Sequence, residues 1–301
     1  MTSSFFYEWV IILNMKTKQI TQGAMFCALY GLILFLNQQT ALFIESGISW
    51  IFVFPILIYT AKTNSYAGLI CALAMGFETI FFGGFTTWFY SWTSLLTGFI
   101  YGLGIQKKWP GELKIGLTFI VTILSYILIF FFWAKIFDFD YAADFEIMHE
   151  MMPFLDMSVF ITLIILGLSV LQTLCIHLIA ALICVRMKIE TAPIKKISEI
   201  QAPKWVGIGS ILVFAVFFLS QNVIKCPQGI QDIILIFFFV DMALLDYYGT
   251  IYLPNRFCRT KRRVRWSFWI CLGAFIPVLN VIWIGLGELD CLLGLRMKEK
   301  E

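Results

Sequence analysis

Residues 159–185 read VFITLIILGLSVLQTLCIHLIAALICV, and the chain continues Arg186-Met187-Lys188. The stretch holds no Asp, Glu, Lys or Arg and exceeds the about 20 mainly apolar residues that cross a hydrocarbon layer as a helix. Its two flanks differ in sign. Ahead of it stand Asp138, Asp140, Asp144, Glu146, Glu150 and Asp156 against a single Lys135; behind it stand Arg186, Lys188, Lys195, Lys196 and Lys204. Cytoplasmic loops retain Lys and Arg, so this segment predicts a transmembrane helix running from an acidic outer loop to a basic inner one.

The same alternation extends in both directions. Towards the N-terminus the apolar runs fall at about Ile20–Leu36, Ala41–Thr60, Tyr66–Phe82, Trp88–Ile105 and Ile115–Ile136. Lys16, Lys18, Lys62, Lys107, Lys108 and Lys114 sit in every second gap, while Gly83-Gly84 marks a bare one. Towards the C-terminus, Pro193 and Pro203 punctuate the basic connection, and spans follow at about Trp205–Leu219 and Ile230–Leu253. Lys225-Cys226-Pro227-Gln228-Gly229 between them reads as a turn. A dense block of Arg256, Arg259, Lys261, Arg262, Arg263 and Arg265 comes next. It is an inner-side orientation signal, which also attracts anionic lipid.

The last apolar segment, Trp266–Leu289, breaks the pattern, because one crossing would place Arg296, Lys298 and Lys300 outside. Either it crosses, giving nine spans, or Pro277, Asn280 and the Gly285/Gly287 pair fold it into a re-entrant hairpin, giving eight. Residues 1–14 contain the apolar run Phe5–Leu13, too short to span; Met15-Lys16-Thr17-Lys18 is an alternative start.

Composition agrees: 60% hydrophobic, 17% aromatic and 14% charged residues cannot clothe a soluble globule. The expected fold is an all-α polytopic bundle of eight or nine transmembrane helices. The expected organisation is an N-terminal extension at 1–15, a six-helix membrane domain at 16–190, a cytoplasmic linker at 191–204 and C-terminal membrane helices at 205–301. The net charge of +3 comes from the loops and argues for orientation, not for nucleic acid. Of eight cysteines, most lie in apolar runs, Cys258 lies in a basic loop and only Cys226 is expected outside, so no structural disulfide is predicted.

Chemistry-bearing motifs are few. His149-Glu150-Met151-Met152-Pro153 starts like a zinc-protease helix but has Pro where the second His is required. The acidic loop lacks the EF-hand glycine and closing Glu. No phosphate loop, nucleophile elbow or dinucleotide fingerprint occurs, so no cofactor, metal or catalytic set is expected, and the chain does not read as an enzyme. His177 stands alone on an apolar helix. Asp241 and Asp246 are about 140° apart around theirs and do not make a paired-carboxylate site.

A carboxylate at membrane depth needs a reason, since a charge there costs at least about 2.5 kcal/mol. Glu78 lies in the outer half of the third span, with Trp88, Tyr90 and Trp92 at the outer end of the fourth. Asn37, Gln38, Gln39 and Glu45 lie in the outer link between the first two. Glu78, Trp88, Tyr90, Trp92, Asn37 and Glu45 can line an outward pocket holding a small cationic or heterocyclic ligand. The alternative is an aromatic belt with Glu78 paired inside the bundle. Ala24 and Ala28, with Gly23, Cys27 and Gly31, and Gly98 with Gly102, are small-residue faces suited to close helix packing.

The stretches Lys16-Thr17-Lys18-Gln19-Ile20-Thr21-Gln22-Gly23-Ala24 and Gly285-Leu286-Gly287-Glu288-Leu289-Asp290 to Arg296, together with Gln228-Gly229, resemble the YybS-type bacterial membrane proteins, whose function is unknown. The first six spans also resemble the substrate-binding S components of energy-coupling factor transporters. That resemblance implies a six-helix bundle with an outward ligand pocket. It also implies an AxxxA face, matched by Ala24 and Ala28, that docks a transmembrane coupling subunit associated with ATPases. The spans after Lys204 are not part of an ordinary S component, and no substrate signature is present. The expectation is therefore a multi-pass protein of the bacterial plasma membrane with a cytoplasmic N-terminus that binds a small ligand for a partner-driven uptake system. The alternative is a non-transporting interaction or regulatory protein that recruits a partner.

Overall fold

A computed structural model describes residues 17–137, 156–192, 203–222, 227–257 and 277–293. The N-terminal extension, most of the acidic loop with His149, Cys226, Cys258, most of the basic block and the first part of the last apolar segment lie outside these. Every regular element among the described residues is helical, and seven helices have the length and composition to cross a membrane. The chain is an all-α polytopic membrane protein. Its surface supports this, with Phe81 83%, Val185 76%, Trp205 75% and Leu182 67% exposed, the large apolar side chains that lipid solvates.

Two compact units divide the chain, one within Met1–Tyr141 and Ile164–Ile194, the other within Ala142–Leu163 and Lys195–Glu301. In the first, α1 (Thr17–Gln39) leads through a tight turn to α2 (Phe43–Ile48), a 3-10 turn (Ser49–Phe52) and α3 (Val53–Lys62). The spans α4 (Ser65–Phe82), α5 (Phe85–Gln106), α6 (Gly111–Phe137) and α7 (Met157–Arg186) follow, the first turns of α7 belonging to the second unit. Asn64 caps α4 by accepting from the Ala67 N–H at 2.7 Å, which stops α3 and restarts the chain within two residues.

Two apolar clusters hold this unit. Tyr30, Leu34, Phe52, Ile56, Tyr59 and Met75 join α1, α3 and α4, while Leu57, Tyr101, Ile105, Ile176 and Ala180 join α3, α5 and α7. The closest approach is α3 to α5. A methyl at Gly102 would lie 2.8 Å from the Leu57 carbonyl oxygen, and one at Gly98 would run into that of Val53. The small-residue face of α5 therefore packs inside the bundle, where bare backbone lets helices meet without a hydrophobic driving force. The Tyr59 hydroxyl donates to the Gln19 carbonyl at 3.0 Å and ties the start of α1 to the end of α3.

At the Lys-bearing end, α5 and α7 finish alike. Lys108 and Lys188 adopt φ 52° and 53°, and the residues after them, Trp109 and Ile189, return bonds of 2.9 Å to the Gly104 and Cys184 carbonyls. One feature departs from the sequence reading: Lys114 is not in a solvated gap. It lies in the first turns of α6 and is 6% exposed.

The second unit contains α8 (Lys204–Asn222), α9 (Gln228–Phe257) and α10 (Pro277–Leu293). There α9 and α10 cross at glycine: a methyl on Gly287 would strike the Leu245 carbonyl, and one on Gly249 that of Trp283. Leu245, Ile284, Cys291 and Val206 surround the crossing.

Candidate functional site

The first unit contains a cleft of about 380 Å³. Glu45, Ser46, Gly47, Ser49 and Trp50 form one wall and Tyr90 of α5 another; Tyr126, Ile129 and Phe130 of α6 face Leu168, Leu171, Gln172 and Cys175 of α7. A crevice of about 20 Å³ shares Ser49, Tyr90, Tyr126, Ile129 and Gln172 with it and is also lined by Thr93, Ser94, Thr97 and Ser125. The Tyr126 hydroxyl donates to Gln172 Oε1 at 2.6 Å.

Glu45 is the charge of this cleft. It is 7% exposed, and its Oε2 accepts from Thr87 Oγ1 at 2.6 Å and from Asn37 Nδ2 at 3.2 Å. The Asn37 side-chain oxygen in turn accepts from the Glu45 backbone N–H at 2.9 Å. Asn37 and Thr87 are both fully buried, so α1, α2 and α5 meet at one carboxylate. The turn that makes this possible is strained. Ala41 and Leu42 hold φ 53° and 64° in succession, a left-handed conformation that costs a side chain about 1–2 kcal/mol each. The Leu42 N–H bonded to the Asn37 carbonyl at 2.9 Å and the clamp on Glu45 hold it in place.

The six candidate ligand residues separate into two groups. Glu45 and Tyr90 line the cleft, and Asn37 supports Glu45 from behind. Glu78, Trp88 and Trp92 do not line it; Glu78 lies against α1 and Trp92 against α4. Glu78 packs against Gly31, where a methyl would meet its carboxylate, and a methyl on Gly76 would sit 2.6 Å from the Trp92 ring. Glu78 Oε2 and both indole N–H groups are buried without a hydrogen-bond partner. The split follows from helix geometry. Trp88, Ser91 and Trp92 form one face of α5, whereas Tyr90, Thr93, Ser94 and Thr97 form another.

Trp50, Tyr126, Gln172 and the hydroxyl floor are cleft residues that sequence reasoning missed. Their signal was present as spacing. On α5, positions 90, 93, 94, 97 and 101 are polar or tyrosine, and on α6 positions 114, 118, 122 and 126 repeat every four residues through an apolar run. Ala24 and Ala28 are both exposed on α1, turned away from the core face of Phe26 and Tyr30.

The remaining polar residues are less suited to chemistry. Asp241 is 8% exposed and Asp246 half-buried on α9, and among the described residues no three His, Cys, Asp or Glu side chains gather as metal ligands. Cys27 and Cys71 are thiols with sulfurs 3.8 Å apart, and they, like Cys175, Cys184 and Cys291, form no disulfide. On the surface, Lys108 Nζ contacts Glu190 Oε2 at 2.7 Å, and that ammonium holds the Glu190 carboxyl below its ordinary range.

A model of a family described as a predicted membrane protein, DUF2232, matches residues 32–159, the part that contains Asn37, Glu45, Trp50, Tyr90 and Tyr126. No curated protein and no solved structure matches the chain.

Proposed function

We propose that this protein binds a small ligand in the Glu45 cleft and that its first unit works as an S-component-like binder. The observation that carries the reading is a carboxylate, nine-tenths buried, with one oxygen clamped by Asn37 and Thr87 and its side chain lining a cleft beside Trp50, Tyr90 and Tyr126. Those groups suit a ligand with an ammonium or N–H donor and a flat or apolar body, since aromatic faces attract cations and a fixed carboxylate orients them. A volume of about 380 Å³ falls within the about 300–1,000 Å³ typical of small-molecule sites.

The cleft opens beside the link between α1 and α2, opposite the ends carrying Lys62, Lys108 and Lys188. By the charge rule this end faces outward, in a bacterial plasma membrane with the N-terminus inside. Energy for uptake comes from a partner, and the exposed Ala24/Ala28 face on α1 suits close approach of a coupling subunit's helix. The same face supports the second reading, a recruiting protein that does not transport. The resemblance of the chain's ends to YybS-type proteins favours neither. In both readings the chain is a binder and not an enzyme.

Native mass spectrometry of protein purified in mild detergent tests this. A small molecule that co-purifies with the native chain and is lost in Glu45→Gln supports binding. An ATPase-bearing partner lost in the Ala24→Leu/Ala28→Leu double variant, with loss of uptake, supports transport. Loss of the partner without loss of uptake favours the recruiting protein. Neither ligand nor partner in the native preparation would overturn the proposal.

A further inference from the structure

The interface of α5, α6 and α7 remains polar beyond the ligand cleft. On α5 the stripe passes from Thr97, 1% exposed, at the crevice floor to Tyr101, 2% exposed, one turn further. On α6 it descends from Tyr126 through Thr122 and Thr118, both fully buried, to Lys114. Burying these hydroxyls is inexpensive, because Thr97, Thr118 and Thr122 each donate to the carbonyl one turn back at 2.7 to 2.8 Å. Their lone pairs stay available to accept.

The stripe ends in three titratable groups. Tyr101 Oη lies 2.7 Å from Nδ1 of His177 on α7, and Lys114 Nζ lies 6.0 Å from the centre of the Tyr101 ring. Lys114 has no carboxylate partner among the described residues, and its charge is felt at His177 and at Cys184. The groups facing His177 are therefore Tyr101 from α5 and Lys114 from α6, while the α3 residues in this cluster, Val53, Phe54, Leu57, Ile58 and Ala61, are all apolar. Lys114 stands three residues from the start of α6 and Tyr101 five from the end of α5, about 5 and 8 Å along the helix from the Lys-bearing end.

We propose that Tyr101 and His177 form a proton relay between the crevice below the cleft and the Lys-bearing end of the first unit, with Lys114 as its positioning charge. The crevice, at about 20 Å³, is large enough for one water, which needs roughly 10–15 Å³. A proton reaching the Tyr101 oxygen from that side displaces the phenol's own proton onto Nδ1. The imidazolium then turns about its Cβ–Cγ bond and releases the Nδ1 proton towards the Lys-bearing end, keeping the proton on Nε2. One proton enters and one leaves, the phenol stays neutral, and the neutral ring turns back to Tyr101 in its starting tautomer. The neighbouring ammonium makes the imidazolium short-lived by like-charge repulsion, so the proton is passed on instead of held. The membrane's proton gradient is the only driving force required.

The test uses the full chain in vesicles with a trapped pH-sensitive dye and a potassium diffusion potential driving protons inward, with no ligand present. Its failure would therefore count against the relay and leave the ligand reading standing. Native protein should carry protons above the protein-free rate. His177→Gln keeps an acceptor for the Tyr101 hydroxyl but cannot shuttle a proton, and should lose about a hundredfold, the lower range for removal of a positioned proton-transfer group. Tyr101→Phe should lose as much, and added imidazole should restore part of the flux to His177→Ala. Trp205→Phe, on the exposed face of α8, should match the native rate. A native flux equal to that of empty vesicles, or native-like flux from a folded His177→Gln or Tyr101→Phe, would overturn the relay.

Discussion

Replacing Asn37 with Ala removes two bonds together: the donor to Glu45 Oε2 at 3.2 Å and the acceptor of the Glu45 backbone N–H at 2.9 Å. Two general effects bear on the size of the loss. Side-chain hydrogen bonds between membrane helices average only about 0.6 kcal/mol, because the chain unfolded within the bilayer finds other partners. Against this, stranding a buried donor costs about 1–3 kcal/mol and a bond to a charged group contributes about 1.5–3 kcal/mol. The second effect dominates here, since Asn37 is 0% and Glu45 7% exposed, leaving neither the N–H nor the carboxylate a ready substitute in solvent. The expected loss is about 3 kcal/mol, or a fall in Tm of about 6–12 °C at 2–4 °C per kcal/mol for a chain of this size. Thr87→Val removes one bond to the same oxygen and should cost about half as much. Because both act through Glu45, the double variant should depart from additivity by about 0.5–3 kcal/mol. Thermal unfolding in detergent, followed by a thiol-reactive dye, reads all three variants, since the Cys71 and Cys184 thiols are in no disulfide and are buried until the fold opens. An Asn37→Ala protein within about 2 °C of native, or strict additivity with Thr87→Val, would refute the argument that the three residues act as one clamp.

Leu42→Gly should raise stability by about 1 kcal/mol, because glycine adopts the φ of 64° at no steric cost; an unchanged or lower Tm would show that the Leu42 side chain contributes more than the strain it imposes. Gly287→Ala should disrupt the second unit, since its methyl would press on the Leu245 carbonyl, and forced overpacking costs about 1–3 kcal/mol or more. Size-exclusion chromatography and the same unfolding assay would detect this, and a native profile would mean that α9 and α10 can separate freely.

The membrane class was legible in the sequence because it depends on run length and charge, which need no tertiary knowledge. The span over Val159–Val185 and the helix Met157–Arg186 describe the same segment. Polar positions on α5 were harder, because the reading grouped Trp88, Tyr90 and Trp92 by proximity along the chain. A helix separates neighbours two residues apart by about 200°, so Tyr90 reaches the cleft while Trp88 and Trp92 do not line it. The two polar faces also explain why α5, at 22 residues, is long enough to span but is not one of the seven helices whose composition suits a membrane crossing. Lys114 was misread for a related reason. Counted as a loop charge it belonged to the Lys107–Lys108 gap, but as a member of the 114–118–122–126 repeat it belongs to a buried stripe. Charge rules assign a Lys to one side of a membrane and say nothing about the direction in which its helix turns it.

Together, these placements set opposite fixed charges at the two ends of one polar seam. Glu45 stands at the cleft and Lys114 at the far end, with hydroxyls bonded mainly to their own helices between them. A cation is therefore attracted at the mouth and repelled at the base, whereas an anion meets repulsion before it enters. Such a profile would hold an organic cation bound as proposed in the cleft and keep it from following the seam, since every step towards Lys114 would raise its energy in a medium that screens charge poorly. A proton passed from oxygen to nitrogen escapes that restriction, because no ion needs to reside beside the ammonium for longer than the transfer. The same two charges thus favour ligand retention at one end and proton transfer alone at the other, which separates the activities that the cleft and the Tyr101–His177 pair are proposed to carry.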